Sequence, residues 1–191
     1  MRPTPAILIL AAGASSRMRG DDKLLQEVDG TPLLLRAVRA ACAVSDEVIV
    51  TLPRNSPRRA WLGDTPARLV ELDAGAMSAS IRAGVAACRA EAVLIHLADM
   101  PEIDAAAFDA LATAWRNSDA TILRATDADG RPGQPVVFDR THFGALSDLS
   151  GDTGAKPILA RHRVATLALP GRAATTDLDT PEDWAAWRAR R

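Results

Sequence analysis

Short apolar runs of four to six residues alternate along this chain with longer stretches whose apolar residues recur at helical spacing. That alternation is the pattern of successive strand-helix units, and it predicts an α/β fold around a mostly parallel sheet. The expected strands are Ala6–Leu10, Val48–Leu52, Arg68–Leu72, Ala92–Leu97, Thr121–Ala125, Pro135–Phe138 and Val164–Leu169. Each of the first four runs into a loop and then a helix. Thr31 and Pro32 suit a helix start, with threonine as cap and a helix through Ala43. A second helix covers Met77–Arg89, with Ile81, Val85 and Cys88 at helical spacing. Asp104 caps a third, running to about Arg116 with Phe108, Leu111 and Trp115 on one face. Thr180-Pro181-Glu182-Asp183 opens the last, which carries Trp184 and Trp187 as core or docking residues. The turn-rich stretch from Asp127 to Pro135 is expected to be a loop over the site. With 191 residues, no internal repeat and no low-complexity linker, one domain over 1–191 is expected.

Composition excludes several classes of partner. Lys and Arg total 23 against 24 Asp and Glu, so no global basic field draws nucleic acid or an anionic membrane. Phosphate binding must therefore be local. The apolar run Ala6–Ala12 is seven residues long and ends in glycine and serine, which suits a buried strand better than a signal peptide. No stretch approaches the roughly 20 apolar residues that span a bilayer. A soluble, cytoplasmic protein is expected. Cys42 and Cys88 stand among alanines without a C-x-x-C pattern and read as small core residues. Only Lys23 and Lys156 are lysines, and both fall in glycine-containing loops, which marks them for specific work.

In an open parallel sheet, ligands bind at the carboxyl ends of the strands. The first such loop runs from Leu10 through Ala11, Ala12, Gly13 and Arg17 to Lys23. Its small residues let backbone amides approach an anion, and Arg17 and Lys23 can neutralise phosphate oxygens. A Walker A loop is ruled out because Met18 and Arg19 stand where its second glycine and lysine belong. A dinucleotide fingerprint is disfavoured by Ser15 at its second glycine. Further along, the apolar strand before Asp99 delivers that carboxylate to its carboxyl end, and Pro101 turns the chain. Asp99 is a candidate Mg²⁺ ligand or a helix cap. Asp177 and Asp179 alternate to one side of an extended segment, where they could join a metal or favour the dipole of the following helix. Ser78 and Ser80 could bind a base or ribose, or cap a helix. His96 reads as a core residue, whereas His142 and His162 look exposed. No nucleophile elbow or Ser-His-Asp order indicates covalent catalysis.

Leu10-Ala-Ala-Gly-Ala-Ser-Ser-Arg-Met18 with Lys23, Leu97-Ala-Asp-Met-Pro101 and Asp177-Leu-Asp-Thr-Pro-Glu-Asp183 together resemble signature segments of one family. They are similar to those of the MobA-like nucleotidyltransferases, which make molybdopterin guanine and cytosine dinucleotides. Gly75–Arg82, Gly130–Pro135 and Gly151–Lys156 resemble three more of its segments, in family order, with departures at Ala76 and Gln134. The resemblance implies a three-layer α/β/α Rossmann-like fold of the nucleotide-diphospho-sugar transferase type. It also implies that the backbone from Leu10 to Gly13 holds the nucleotide, with Ser78 and Ser80 near its base or ribose. Arg17 and Lys23 would bind its phosphates and, with Asp99, form the catalytic set. Asp99 and Asp179 would hold Mg²⁺, with Asp177 a weaker candidate. Gln134, Asp152 and Lys156 fall on the acceptor side, although the last two also suit a solvated loop.

The implied reaction moves a nucleoside monophosphate from an NTP to a phosphorylated acceptor and releases pyrophosphate. Ala12 occupies a position where alanine accompanies CTP and glycine accompanies GTP, so CTP is expected. The expected acceptor is molybdopterin, and a molybdenum hydroxylase apoenzyme would receive the product. Transfer to a sugar phosphate or another phosphorylated alcohol is the alternative within the class. A non-catalytic carrier of a nucleotide-bearing cofactor is the alternative outside it, and an NAD-linked oxidoreductase is disfavoured.

Overall fold

The computed structural model describes residues 1–73 and 75–191. Its main sheet has seven strands. They are β1 (Ala6–Leu10), β4 (Val48–Pro53), β5 (Arg68–Leu72), β6 (Ala92–Leu97), β7 (Ile122–Thr126), β8 (Pro132–Asp139) and β9 (Ala165–Ala168). The order across the sheet is β5-β4-β1-β6-β8-β7-β9. Only β8 runs antiparallel to its neighbours β6 and β7. A separate two-stranded ladder pairs β2 (Glu27–Val28) with β3 (Thr31–Pro32).

Alternation along the strands sorts side chains to two helical layers. Ile7, Ile9, Val50 and Leu94 face one core, shared with α1 (Leu33–Cys42) and α3 (Ala105–Arg116). Leu8, Ile49, Val93 and Ile95 face the other, shared with α2 (Met77–Ala87) and α4 (Phe143–Ser147). The expected three-layer arrangement is therefore present. Gly84 lets α2 lie directly on β1, because a β-carbon there would stand 2.2 Å from a methyl of Leu8. The remaining helices are the short α5 (Lys156–Leu159) and α6 (Pro181–Arg188). No described helix is long and apolar enough to cross a membrane.

Several local expectations need correction. Thr31 does not cap α1: Thr31 and Pro32 form β3, and the helix starts at Leu33 with Pro32 in extended conformation before it. The segment from Pro132 to Pro135 is the start of β8 rather than loop. Asp127 closes the turn ahead of it by accepting the amides of Asp129 and Arg131. His142 is buried, not exposed, because its Nε2 lies 3.0 Å from the Thr121 hydroxyl and its ring packs edge-on against Phe138 and His162. Asp104 does cap α3, accepting the Ala107 amide, and Thr180 and Asp183 form a reciprocal capping box on α6.

His96 is fully buried on β6, edge-on to Phe108. Burial pushes its pKa down to about 3, so the ring is neutral at pH 7.

Candidate functional site

The carboxyl ends of β1 and β6 are neighbours, with Leu10 opposite Leu97. The loop after β1 and Asp99 after β6 consequently open onto the same cleft of about 540 Å³. Leu10, Ala12, Gly13, Arg17 and Lys23 line it from one side, and Ser80, Asp99 and Asp152 from the others. Ala11 is buried instead, its amide bonded to the Thr51 carbonyl.

Lys23 is the centre of the charge arrangement. Its Nζ lies 2.5 Å from Asp99 Oδ2 and 2.6 Å from Asp179 Oδ1. Arg17 reaches the other oxygen of Asp179 at 2.8 Å. Burial disfavours the charge on Lys23, but Asp99 and Asp179 outweigh it, and its pKa lies above the ordinary value. Asp179 comes to Asp99 through the backbone: the Leu178 amide donates to the Asp99 carbonyl at 3.0 Å. Leu178 itself inserts into a small core with Met18, Val28, Leu33, Trp184 and Trp187. The closing segment is thus pinned to the first loop and to β6 at once.

A cation fits beside Lys23. Asp99 Oδ1 is buried without a hydrogen-bond partner. Burial, followed by the negative charges of Asp99 and Asp179, holds the Asp177 carboxyl above its usual range. The three carboxylates Asp99, Asp177 and Asp179 thus meet two cations, Lys23 and Arg17. Among the described residues no cluster of three His, Cys, Asp or Glu could by itself hold a metal ion. Two carboxylates completed by phosphate oxygens form the type of site Mg²⁺ accepts.

The other expected residues are distributed unevenly. Ser78 and Ser80 lie inside α2, both buried, and neither caps it. Of the two, Ser80 reaches the cleft. Asp152 caps α2 from a distant segment, accepting the Met77 amide at 3.1 Å. Gln134 stands at the start of β8, the strand beside β6. Its amide donates to the Ala174 carbonyl, whereas its side-chain oxygen is buried without a partner. Gly133 permits that approach, since a β-carbon there would stand 1.8 Å from Ala174 O. Lys156 opens α5 as an exposed residue and does not line the cleft.

The sequence did not reveal one group that the structure places behind the loop. Arg58 is buried and directs its guanidinium at Asp22, Ser15 and the Ala11 carbonyl. An aspartate inside a loop expected to receive phosphate signals that some cation must face it. Which of the 21 arginines does so is a matter of tertiary structure.

Residues 7–166 match the family model described as MobA-like NTP transferase domain. A molybdenum cofactor guanylyltransferase of Burkholderia vietnamiensis is 33% identical over 178 residues, covering 84% of each chain. The crystal structure of Rv0371c from Mycobacterium tuberculosis H37Rv superposes with a TM-score of 0.81 at 31% identity, covering 96% of this chain and 98% of that one. The manganese complex of Rv0371c superposes equally well, at 28% identity over 96% of this chain and 97% of the other.

Proposed function

The chain belongs to the MobA-like NTP transferase family, and from that premise we propose that it transfers CMP from CTP to the phosphate of molybdopterin. The observation that carries the reading is the convergence of Lys23 and Arg17 on Asp99 and Asp179 at the mouth of the β1 loop. Residues 1–191 would act as one nucleotidyltransferase domain.

In the proposed reaction an acceptor phosphate oxygen attacks the α-phosphorus of the NTP. The bond between that phosphorus and the α,β-bridging oxygen breaks, and pyrophosphate leaves with the electron pair. The acceptor phosphate is already an anion at neutral pH, so no strong general base is required. Positioning and charge neutralisation carry the catalysis. The amides near Gly13 approach the phosphates, while Arg17 and Lys23 exchange their aspartate partners for phosphate oxygens. Asp99 and Asp179 would hold Mg²⁺, which when bound supplies further positive charge to those oxygens. Ser80 faces the nucleoside, and Gln134 offers an amide to the acceptor.

The choice of CTP rests on Ala12, a residue of the cleft at the position where, by the family resemblance, alanine accompanies CTP and glycine accompanies GTP. A second reading, GMP transfer, is favoured by the guanylyltransferase name of the Burkholderia relative. The test is a panel of the four NTPs with molybdopterin and Mg²⁺, scored by pyrophosphate release and product mass. CMP transfer to molybdopterin is the expected result. A guanine dinucleotide product would replace the first reading by the second. Binding of CTP or GTP without pyrophosphate release, whatever the phosphorylated acceptor, would defeat transfer and favour a carrier.

A further inference from the structure

Arg58 never touches the cleft, yet it contacts the loop that lines it at three separated points. Its Nε and Nη2 take both oxygens of Asp22, at 2.6 and 2.8 Å. Nη2 also donates to the Ser15 hydroxyl at 3.1 Å, and Nη1 to the Ala11 carbonyl at 2.6 Å. The side chain is 4% exposed. We propose that Arg58 is a positioning residue for nucleotide binding, which fixes the segment from Ala11 to Leu24 in the shape that receives a triphosphate. The inference rests on the nucleotidyl transfer proposed above and deepens it.

Three observations support the assignment. The first is backbone conformation. Ser15 has φ 51° and Arg19 φ 55°, left-handed values that non-glycine residues keep only where surroundings over-determine them. At Ser15 those surroundings are the Arg58 network. The Ser15 hydroxyl donates to Asp22 and accepts from both Arg58 and the Lys23 amide, while Asp22 accepts the Leu24 amide.

The second is charge. Asp22 immediately precedes Lys23 in a loop that must accept a polyanion. With both of its oxygens held by a guanidinium, its negative charge is neutralised behind the loop rather than in the cleft. The third is the rigidity of the support. Arg58 belongs to a 3-10 turn, Pro57–Trp61, capped by Ser56, and that turn follows β4, the strand hydrogen-bonded to β1. A lysine could satisfy one of these partners, but not the carboxylate fork and the Ala11 carbonyl together.

The test compares CTP and GTP binding by calorimetry with steady-state kinetics, across Arg58→Met, Arg58→Lys and the double variant Arg58→Met/Asp22→Asn. Arg58→Met is expected to weaken nucleotide binding about 50-fold, while the molybdopterin KM stays within about threefold. Arg58→Lys should recover less than about half of that loss on a logarithmic scale. The double variant should bind nucleotide at least about fivefold more tightly than Arg58→Met, because the uncompensated carboxylate is gone. A residue needed only for stability would lower the melting temperature without separating the two KM values, and Asp22→Asn would then rescue nothing. If Arg58→Met fails to fold, Arg58→Lys and Asp22→Asn carry the same comparison. Nucleotide affinity within about threefold of the unaltered protein in a folded variant overturns the proposal, as does an equal rise in both KM values. An unaltered protein that binds nucleotide but releases no pyrophosphate defeats the transfer reading, and the binding series then still decides the role of Arg58.

Discussion

The residues proposed to take the nucleotide and those proposed to take the acceptor are held differently. Lys23 pairs with Asp99 and Asp179, Arg17 with Asp179, and Asp22 with Arg58, so the first set is tied into ion pairs, with Asp99 Oδ1 left without a partner. In the second set the Gln134 side-chain oxygen has no partner, Lys156 is exposed outside the cleft, and the Asp152 carboxylate accepts the first amide of α2. The first set is preorganised by charge, whereas the second is held by few polar contacts. Substitutions in the first set should therefore cost catalysis, and those in the second should cost acceptor affinity.

The largest expected effect is at Asp99. Asp99→Ala should lower pyrophosphate release on the order of 10³-fold, as loss of a group that organises charge at the reacting phosphate does. A variant within tenfold of the parent would break the comparison at its centre. Lys23→Ala should cost about 10²-fold in kcat/KM for the nucleotide, because a charge-assisted contact to phosphate is lost. Nucleotide calorimetry on that variant checks whether the loss lies in binding.

The frame behind Asp99 can be probed by pH. His96 has a pKa of about 3 in the folded chain against 6.5 as its ordinary value, so the unfolded chain binds the extra proton between those limits. Its contribution to stability is present above pH 6.5 and declines as pH falls towards about 3, by at most about tenfold in the unfolding constant per pH unit. Urea titrations at pH 7 and pH 5 should show this slope reduced in His96→Leu. An unchanged slope in that variant would remove His96 as its source. On the acceptor side, Gln134→Ala should raise the molybdopterin KM about tenfold and leave the nucleotide KM unchanged. The smallest effect is expected from Lys156→Ala, within about threefold for either substrate, since an exposed charge contributes little. A larger change there would show that the 150s loop closes on the acceptor.

The same division governs what could be read from the sequence. Strands β1 and β6 and the helix after Ala76 announce themselves because their apolar period and small-residue loops are local properties. The same holds for the order of Gly13, Arg17, Lys23 and Asp99, which lies along continuous motifs. Arg58 was invisible for the opposite reason: its partners lie 36 to 47 positions away, and nothing in Ser56-Pro57-Arg58 distinguishes it from neighbouring arginines. The β2–β3 ladder was missed because two-residue strands have no measurable period. The burial of His142 is not legible locally because it depends on Thr121, just before β7, and on His162, both about 20 positions away. Gln134 is one of the two departures from the family segments that the chain resembles, and sequence pattern does not place its side chain.

The contact of Met18 with Leu178, Trp184 and Trp187 also bears on the order of folding. Lys23 and Asp179 lie 156 positions apart, so bringing them together closes a long loop whose entropy is recovered only once both segments are packed. The strands β1, β4 and β6 can pair without that closure, whereas the Lys23–Asp179 contact cannot form before it. The charge arrangement around Lys23 should therefore be completed late in refolding, together with burial of Trp184 and Trp187.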